Sequence, residues 1–152
     1  MKKLLIIFCF TAILLGCDYF SETRICNQIG KDITLKIAFD SSEVNSWSGG
    51  MLSNNLTKFL SNYGENLNPI DIDTINYTAT YLIRADSCAS IEGGNNPRPT
   101  FHFFKYLEVI NENDTLKLIT KEQMIKAFDA DRERPEFYFD LLIMEGINNT
   151  SR

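Results

Sequence analysis

Much of the equipment of a recognisable enzyme is missing from this chain of 152 residues. There is a single histidine, His102. A lone imidazole needs an orienting partner and a nucleophile before it can act as a general base. The linear sequence supplies neither beside Phe101, Phe103 and Phe104, so His102 reads as a strand residue on a sheet face. There is no phosphate-cradling glycine loop and no Gly-x-Ser-x-Gly elbow. Cysteine is scarce, with four in all, and Cys26 and Cys88 lack the close spacing of zinc ligands. A long apolar run is missing too. The only one, Leu4 to Leu15, would make a helix of about 18 Å, short of the roughly 30 Å hydrocarbon core of a bilayer. Basic clusters are absent, and acids outnumber bases 20 to 15, which excludes nucleic acid as an expected partner because phosphate binding needs grouped Lys and Arg. No internal repeat marks a second domain.

What is present begins with the first seventeen residues. A basic start, Lys2-Lys3, precedes the short apolar run, and the exit reads Leu14-Leu15-Gly16-Cys17. Basic start, short run and small-residue exit mark a secretory signal rather than a spanning helix. The exit resembles the lipobox of bacterial lipoproteins. That resemblance covers residues 1–17 and implies a cleaved signal over 1–16, with a diacylglycerol thioether on Cys17 and acylation of its new amine. Two or three long chains on one residue hold far more firmly than the marginal grip of a single myristoyl group. Cleavage would remove two lysines and no acid, leaving 13 Lys and Arg against 20 Asp and Glu and moving the net charge from −5 to −7. Such a charge disfavours electrostatic attraction to membranes, so the lipid has to hold the protein there.

The expected organisation is a tether over 17–22, one β-rich domain over 23–145 and a loose polar tail over 146–152. About 136 mature residues suit a single domain with a real core. With Cys9 leaving in the signal and Cys17 lipidated, two thiols remain. In an oxidising compartment Cys26 and Cys88 read as a disulfide, and as two small buried hydrophobes if they stay reduced.

Along the chain, strands are expected at Arg24–Ile29 and at 33–39, where Ile33, Leu35, Ile37 and Phe39 alternate with Thr34, Lys36 and Ala38. The Gly30-Lys31-Asp32 turn signal joins them as a hairpin. Residues 40–50 are Ser-, Asn- and Gly-rich and read as a loop. Leu52, Leu56, Phe59, Leu60 and Tyr63 fall at helical spacing with Gly64 beyond. Extended stretches follow at 69–73 and 77–83. Residues 86–100 read as a long irregular segment, the kind that carries function more often than core strands do. Phe101–Ile110 and Thr115–Ile119 form a hairpin around Asn111–Asp114. Thr120 and Gln123 make a capping box, with Ile119 placed to staple onto Met124, and Phe137, Phe139, Leu141 and Ile143 alternate in a last strand. The fold class is therefore mainly β: an antiparallel β-sandwich, immunoglobulin-like or transthyretin-like, with two short helices in connections. The alternative is an α+β open sheet with a helix on one face.

Weak signals complete the inventory. Asp129, Asp131 and Glu133 alternate, but an EF-hand wants Gly at its sixth position and Glu at its twelfth, where this chain has Arg134 and Asp140; a solvated helix end is the better account. Asp71 and Asp73 point to one face of a strand and read as a wet sheet surface. Paired asparagines and the abundance of Ile, Phe and Lys give the chain a look similar to small envelope lipoproteins of Bacteroidota. In that group, Asp73-Thr74-Ile75 and Asp114-Thr115-Leu116 resemble the O-glycosylation motif, which implies Thr74 and Thr115 as acceptors. No metal and no cofactor are expected. The leading function is a non-enzymatic protein- or glycan-binding or assembly module, anchored through Cys17 in the cell envelope, periplasmic or at the cell surface, at the outer membrane. An immunity or inhibitor lipoprotein is one alternative, and an enzyme or ligand carrier whose site forms only in three dimensions is another.

Overall fold

Alternating side chains build most of this molecule. In Ile33–Phe39 the odd-numbered residues are buried, and the same period of two recurs in Thr78–Ile83 and Tyr138–Ile143 because successive side chains leave a strand on opposite faces. The computed structural model describes residues 20–49, 55–96, 98–112, 114–130 and 137–144. Its strands are β1 (Ser21–Asn27), β2 (Ile33–Phe39), β3 (Asn68–Asp73), β4 (Thr78–Ile83), β5 (Ser87–Gly94), β6 (Phe104–Ile110), β7 (Thr115–Leu118) and β8 (Tyr138–Ile143). Its helices are α1 (Ser41–Trp47), α2 (Leu56–Ser61) and α3 (Lys121–Ala127).

The protein is mainly β, with two sheets consistent with a β-sandwich. One sheet has the order β5-β1-β8 and the other β3-β4-β2-β6-β7. Ile25, Ala89, Ile91, Phe139, Leu141 and Ile143 of the first share one hydrophobic core with Leu35, Ile37, Tyr81, Leu107 and Val109 of the second. Tyr81 is fully buried, and its hydroxyl donates to Leu60 O at 2.6 Å, which satisfies its polar tip inside the core. That burial raises the Tyr81 pKa above the ordinary phenol value.

Several expectations are corrected. β1 and β2 do not form a hairpin; they lie in different sheets. The residue that turns the chain from one sheet to the other is Asn27, buried at the end of β1. Its amide donates to Lys31 O at 2.7 Å, Arg84 O at 3.0 Å and Ile83 O at 3.4 Å, and its Oδ1 accepts from Ile29 N at 3.1 Å. One side chain thus ties β1 to the following turn and to the end of β4. β1 also starts at Ser21, two residues before the expected domain boundary, and it pairs in parallel with β8 while every other described strand pair is antiparallel.

Residues 41–47, read as loop, form α1, so there are three helices among the described residues rather than two. Asp40 explains this: its Oδ1 accepts from Ser42 N at 2.9 Å and Glu43 N at 3.4 Å, a side-chain N-cap that offsets the weak helix propensity of the serines. Val44 then anchors the helix in the core. Residues 87–94, expected to be irregular, are β5, held by pairing with β1 that no local signal announces. The helix expected from Leu52 is described only as Leu56–Ser61; Leu52 lies outside the described residues. β6 begins at Phe104, so His102 is a turn residue and not a strand residue. The Thr120–Gln123 capping box is present, but Ile119 faces solvent. Asp131, Glu133, Arg134, Cys17 and the tail 146–152 lie outside the described residues.

Candidate functional site

The end of the sandwich at which β1 begins is built from four pieces. The antiparallel register sets Ser21 opposite Gly94, so the chain leaving β5 emerges beside the start of β1. Glu92 then organises it. One carboxylate oxygen accepts from Thr100 N at 3.3 Å and Thr100 Oγ1 at 2.8 Å, and the other from Phe101 N at 2.9 Å. Phe101 is fully buried with a left-handed φ of 49°, a conformation uncommon for a bulky residue and held by Glu92 together with packing on Phe128 at 5.2 Å. Ser21 Oγ adds a hydrogen bond to Asn96 O at 2.5 Å.

The resulting 101–103 turn meets α1. Asp40 N donates to Phe103 O at 2.8 Å, which places the first turn of α1 over it. Glu43 and Trp47 are four residues apart and share a helix face. Glu43 Oε2 lies 2.9 Å from His102 Nε2, and Trp47 packs edge-on to Phe103 at 5.9 Å and tilted against Phe59 of α2 at 6.1 Å. Phe59 continues inward to Tyr63 at 5.4 Å, and Tyr63 to Phe39 at 4.7 Å. An aromatic ladder therefore runs from the core to an exposed indole. Burial, with Glu92 nearby, raises the Tyr63 pKa. The Asp40 carboxyl is held below the usual carboxylate value, first by the Ser42 hydroxyl and then by the Ser42 and Glu43 amides. Beside Trp47, Asn45 meets the Tyr77 hydroxyl at 3.3 Å.

His102 has a carboxylate partner, but the side chains next to the pair are Phe103 and Trp47. A shallow pocket of about 30 Å³ beside Ser21, Thr23, Glu92 and Arg98 has room for one water. No group of three or more metal-ligating side chains occurs among the described residues.

The residues singled out from sequence are scattered. Cys26 and Cys88 are joined, S–S 2.00 Å, as directly opposed residues of β1 and β5. Thr74 is exposed on the β3–β4 turn and Thr115 is exposed at the start of β7, at opposite ends of the five-stranded sheet. Asp73 does not team with Asp71. Its carboxylate accepts from Ile75 N, Asn76 N and Asn76 Nδ2 at 2.9, 3.0 and 2.6 Å, an Asx turn that lowers its pKa, chiefly through the Asn76 side chain. Trp47 and Glu43 are the site residues that sequence reading did not single out, and Phe59 was read there only as part of a helical stripe. The available signal was Asp40-Ser-Ser-Glu43, a capping pattern followed at helical spacing by the chain's single tryptophan. Comparison with known protein families, curated proteins and solved structures returns no match.

Proposed function

We propose that this chain is a lipid-anchored lipoprotein of the cell envelope, held in its membrane through Cys17, and that its exported β-sandwich works as a non-enzymatic binding or assembly module. The observation that supports this reading is the placement of Leu14-Leu15-Gly16-Cys17 only three residues before Phe20, which already packs against the sheet: its ring tip lies 3.6 Å from where a Cβ on Gly93 would sit. Three residues span at most about 11 Å, so lipid on Cys17 would hold the domain directly against the bilayer. The partner, an envelope protein or a glycan, would then be met by the surfaces that face away. One of these is the far end of β8, where Leu142 is exposed on the outer face of the three-stranded sheet. Thr115, exposed at the opposite end from Thr74 and Ile75, is proposed as an O-glycan acceptor.

Growth on labelled palmitate tests the anchor: label is expected on the wild type and lost in Cys17→Ser, whereas an unlabelled wild type removes the basis of the reading. Crosslinking in cells from Lys31 and from Leu142 is expected to capture one recurrent partner. Recovery of bulk membrane proteins alone would count against a binding module.

A further inference from the structure

Resting on the anchor reading above, we infer that the aromatic end of the sandwich is a membrane-docking face, and that the domain sits with this end in the interfacial layer of the bilayer that holds its lipid.

The topology brings the necessary residues together. β1 starts at this end, and its pairing fixes the neighbours. Parallel register with β8 places Phe137 and Tyr138 alongside, with Glu22 N donating to Phe137 O at 2.8 Å. β2 arrives at the same end and delivers α1 with Trp47, while Phe39 N donates to Tyr77 O at 2.8 Å and so holds the β3–β4 turn next to it. Among polar neighbours such as Ser41, Asn45, Asn76 and His102, five large side chains are exposed there, with Arg24 over one face of the Tyr138 ring. Relative exposure is 45% for Phe20, 66% for Trp47, 88% for Ile75, 63% for Phe137 and 50% for Tyr138. An end this rich in exposed rings is uncommon on a monomeric surface and marks an interaction site. The opposite end presents Lys31, Asp32, Arg84, Asp86, Glu112 and Asp114, all exposed; among the described residues there, Leu142 and Met144 at the end of β8 are the large exposed apolar side chains.

What selects a lipid surface as the occupant is the length of chain outside the sandwich. From Cys17 to Phe20 the backbone reaches about 11 Å at full extension. A lipidated Cys17 lies at the membrane interface, so Phe20 and the end of the domain around it lie within that reach. A protein or glycan partner seated on Trp47 would have to fit into the same narrow gap. Trp and Tyr rings favour the headgroup layer, where an apolar body and a polar tip are both satisfied. Glu22, Asp40, Glu43 and Asp73 at this end are met by Arg24 over Tyr138, Arg98 beside Ser21 and Lys121 near Asp40, so docking is through apolar contact rather than attraction to anionic headgroups.

The single tryptophan makes the test direct. Full-length lipidated protein is reconstituted into vesicles of phosphatidylcholine and phosphatidylethanolamine whose acyl chains carry bromine at shallow or deep positions. Trp47 emission should shift to the blue, and shallow bromines should remove roughly half of its intensity, as expected for side chains sunk about 5–10 Å into the headgroup boundary. Adding anionic lipid should not deepen the quenching. A Trp47→Phe, Leu142→Trp variant, which moves the reporter to the far end of β8, should stay unquenched with unchanged circular dichroism. If the protein floats with the vesicles and carries palmitate but Trp47 is not quenched, the anchor reading stands and the docking face is refuted. Equal quenching at both reporter positions also refutes it, because the domain then has no preferred end. If neither flotation nor label is found, the anchor reading falls and this inference falls with it.

Discussion

Replacing Asn27 by alanine is expected to be the most damaging single truncation of a polar side chain in this protein. The residue is buried at 1% exposure. Its amide serves Lys31 O and Arg84 O at good distance and Ile83 O at the long limit, while its Oδ1 accepts from Ile29 N. Counting the three good bonds at about 1 kcal/mol each gives a loss of about 3 kcal/mol. At roughly 4 °C per kcal/mol for a domain of this size, the melting temperature should fall by about 12 °C. Asn27→Asp is the sharper experiment. It preserves shape and the bond from Ile29, but it turns a carboxylate toward three carbonyl oxygens. It should therefore cost more than alanine, about 4–5 kcal/mol, because a buried charge then faces like dipoles. Urea unfolding of the detergent-solubilised protein, followed by far-UV circular dichroism, measures both. If Asn27→Ala lies within about 0.5 kcal/mol of wild type, or Asn27→Asp is the milder change, this side chain does not join the sheets in the way argued from its hydrogen bonds.

Three other outcomes follow from the same geometry. The double substitution Cys26→Ala, Cys88→Ala releases a closure of 62 residues and should lower stability by about 4 kcal/mol in the chain-entropy treatment, with β-sheet circular dichroism retained because β1 still has both neighbours; an unchanged urea midpoint would contradict it. Gly64→Ala should cost more than about 1 kcal/mol, since φ is +74° and the new Cβ would sit 2.3 Å from Ser90 O, where Glu65 and Ser90 exchange two backbone bonds at 3.0 Å; tolerance by calorimetry would mean that this junction shifts freely. Asp40 has a folded-state pKa below its ordinary 3.8, so its charge contributes stability that is fully present above that value and is lost as pH falls through the depressed folded value. Wild type should therefore lose more stability below pH 3.8 than Asp40→Asn, which retains a capping oxygen without the charge, and parallel acid-unfolding curves would refute the role given to the carboxylate.

Reading by periodicity succeeded where side chains facing one core obey a local rule. β2, β4, β6 and β8 each show a buried set two residues apart, and the Thr120–Gln123 box is satisfied by atoms three residues apart. Local patterning also reached the mainly β class and the position of the β6–β7 turn. Within 40–50 and 86–100 it misjudged residues 41–47 and 87–94, for two different reasons. The first segment is polar and glycine-rich, and a single capping carboxylate with one buried valine outweighs that composition. The second is a strand because β1 lies beside it, and a strand has no hydrogen-bonded form of its own without a neighbour.

Sequence alone therefore determined the features that depend on residues close in the chain: which segments alternate, where α3 is capped, and the basic–apolar–Leu14-Leu15-Gly16-Cys17 pattern that raises the lipoprotein reading. Tertiary structure decided which sheet each strand joins, the parallel pairing of β1 with β8, the meeting of Cys26 and Cys88, and the gathering of Phe20, Trp47, Ile75, Phe137 and Tyr138 at one end. These are contacts between residues tens to more than a hundred positions apart. Their energy depends on register and on a shared core, and no window of neighbouring residues contains either.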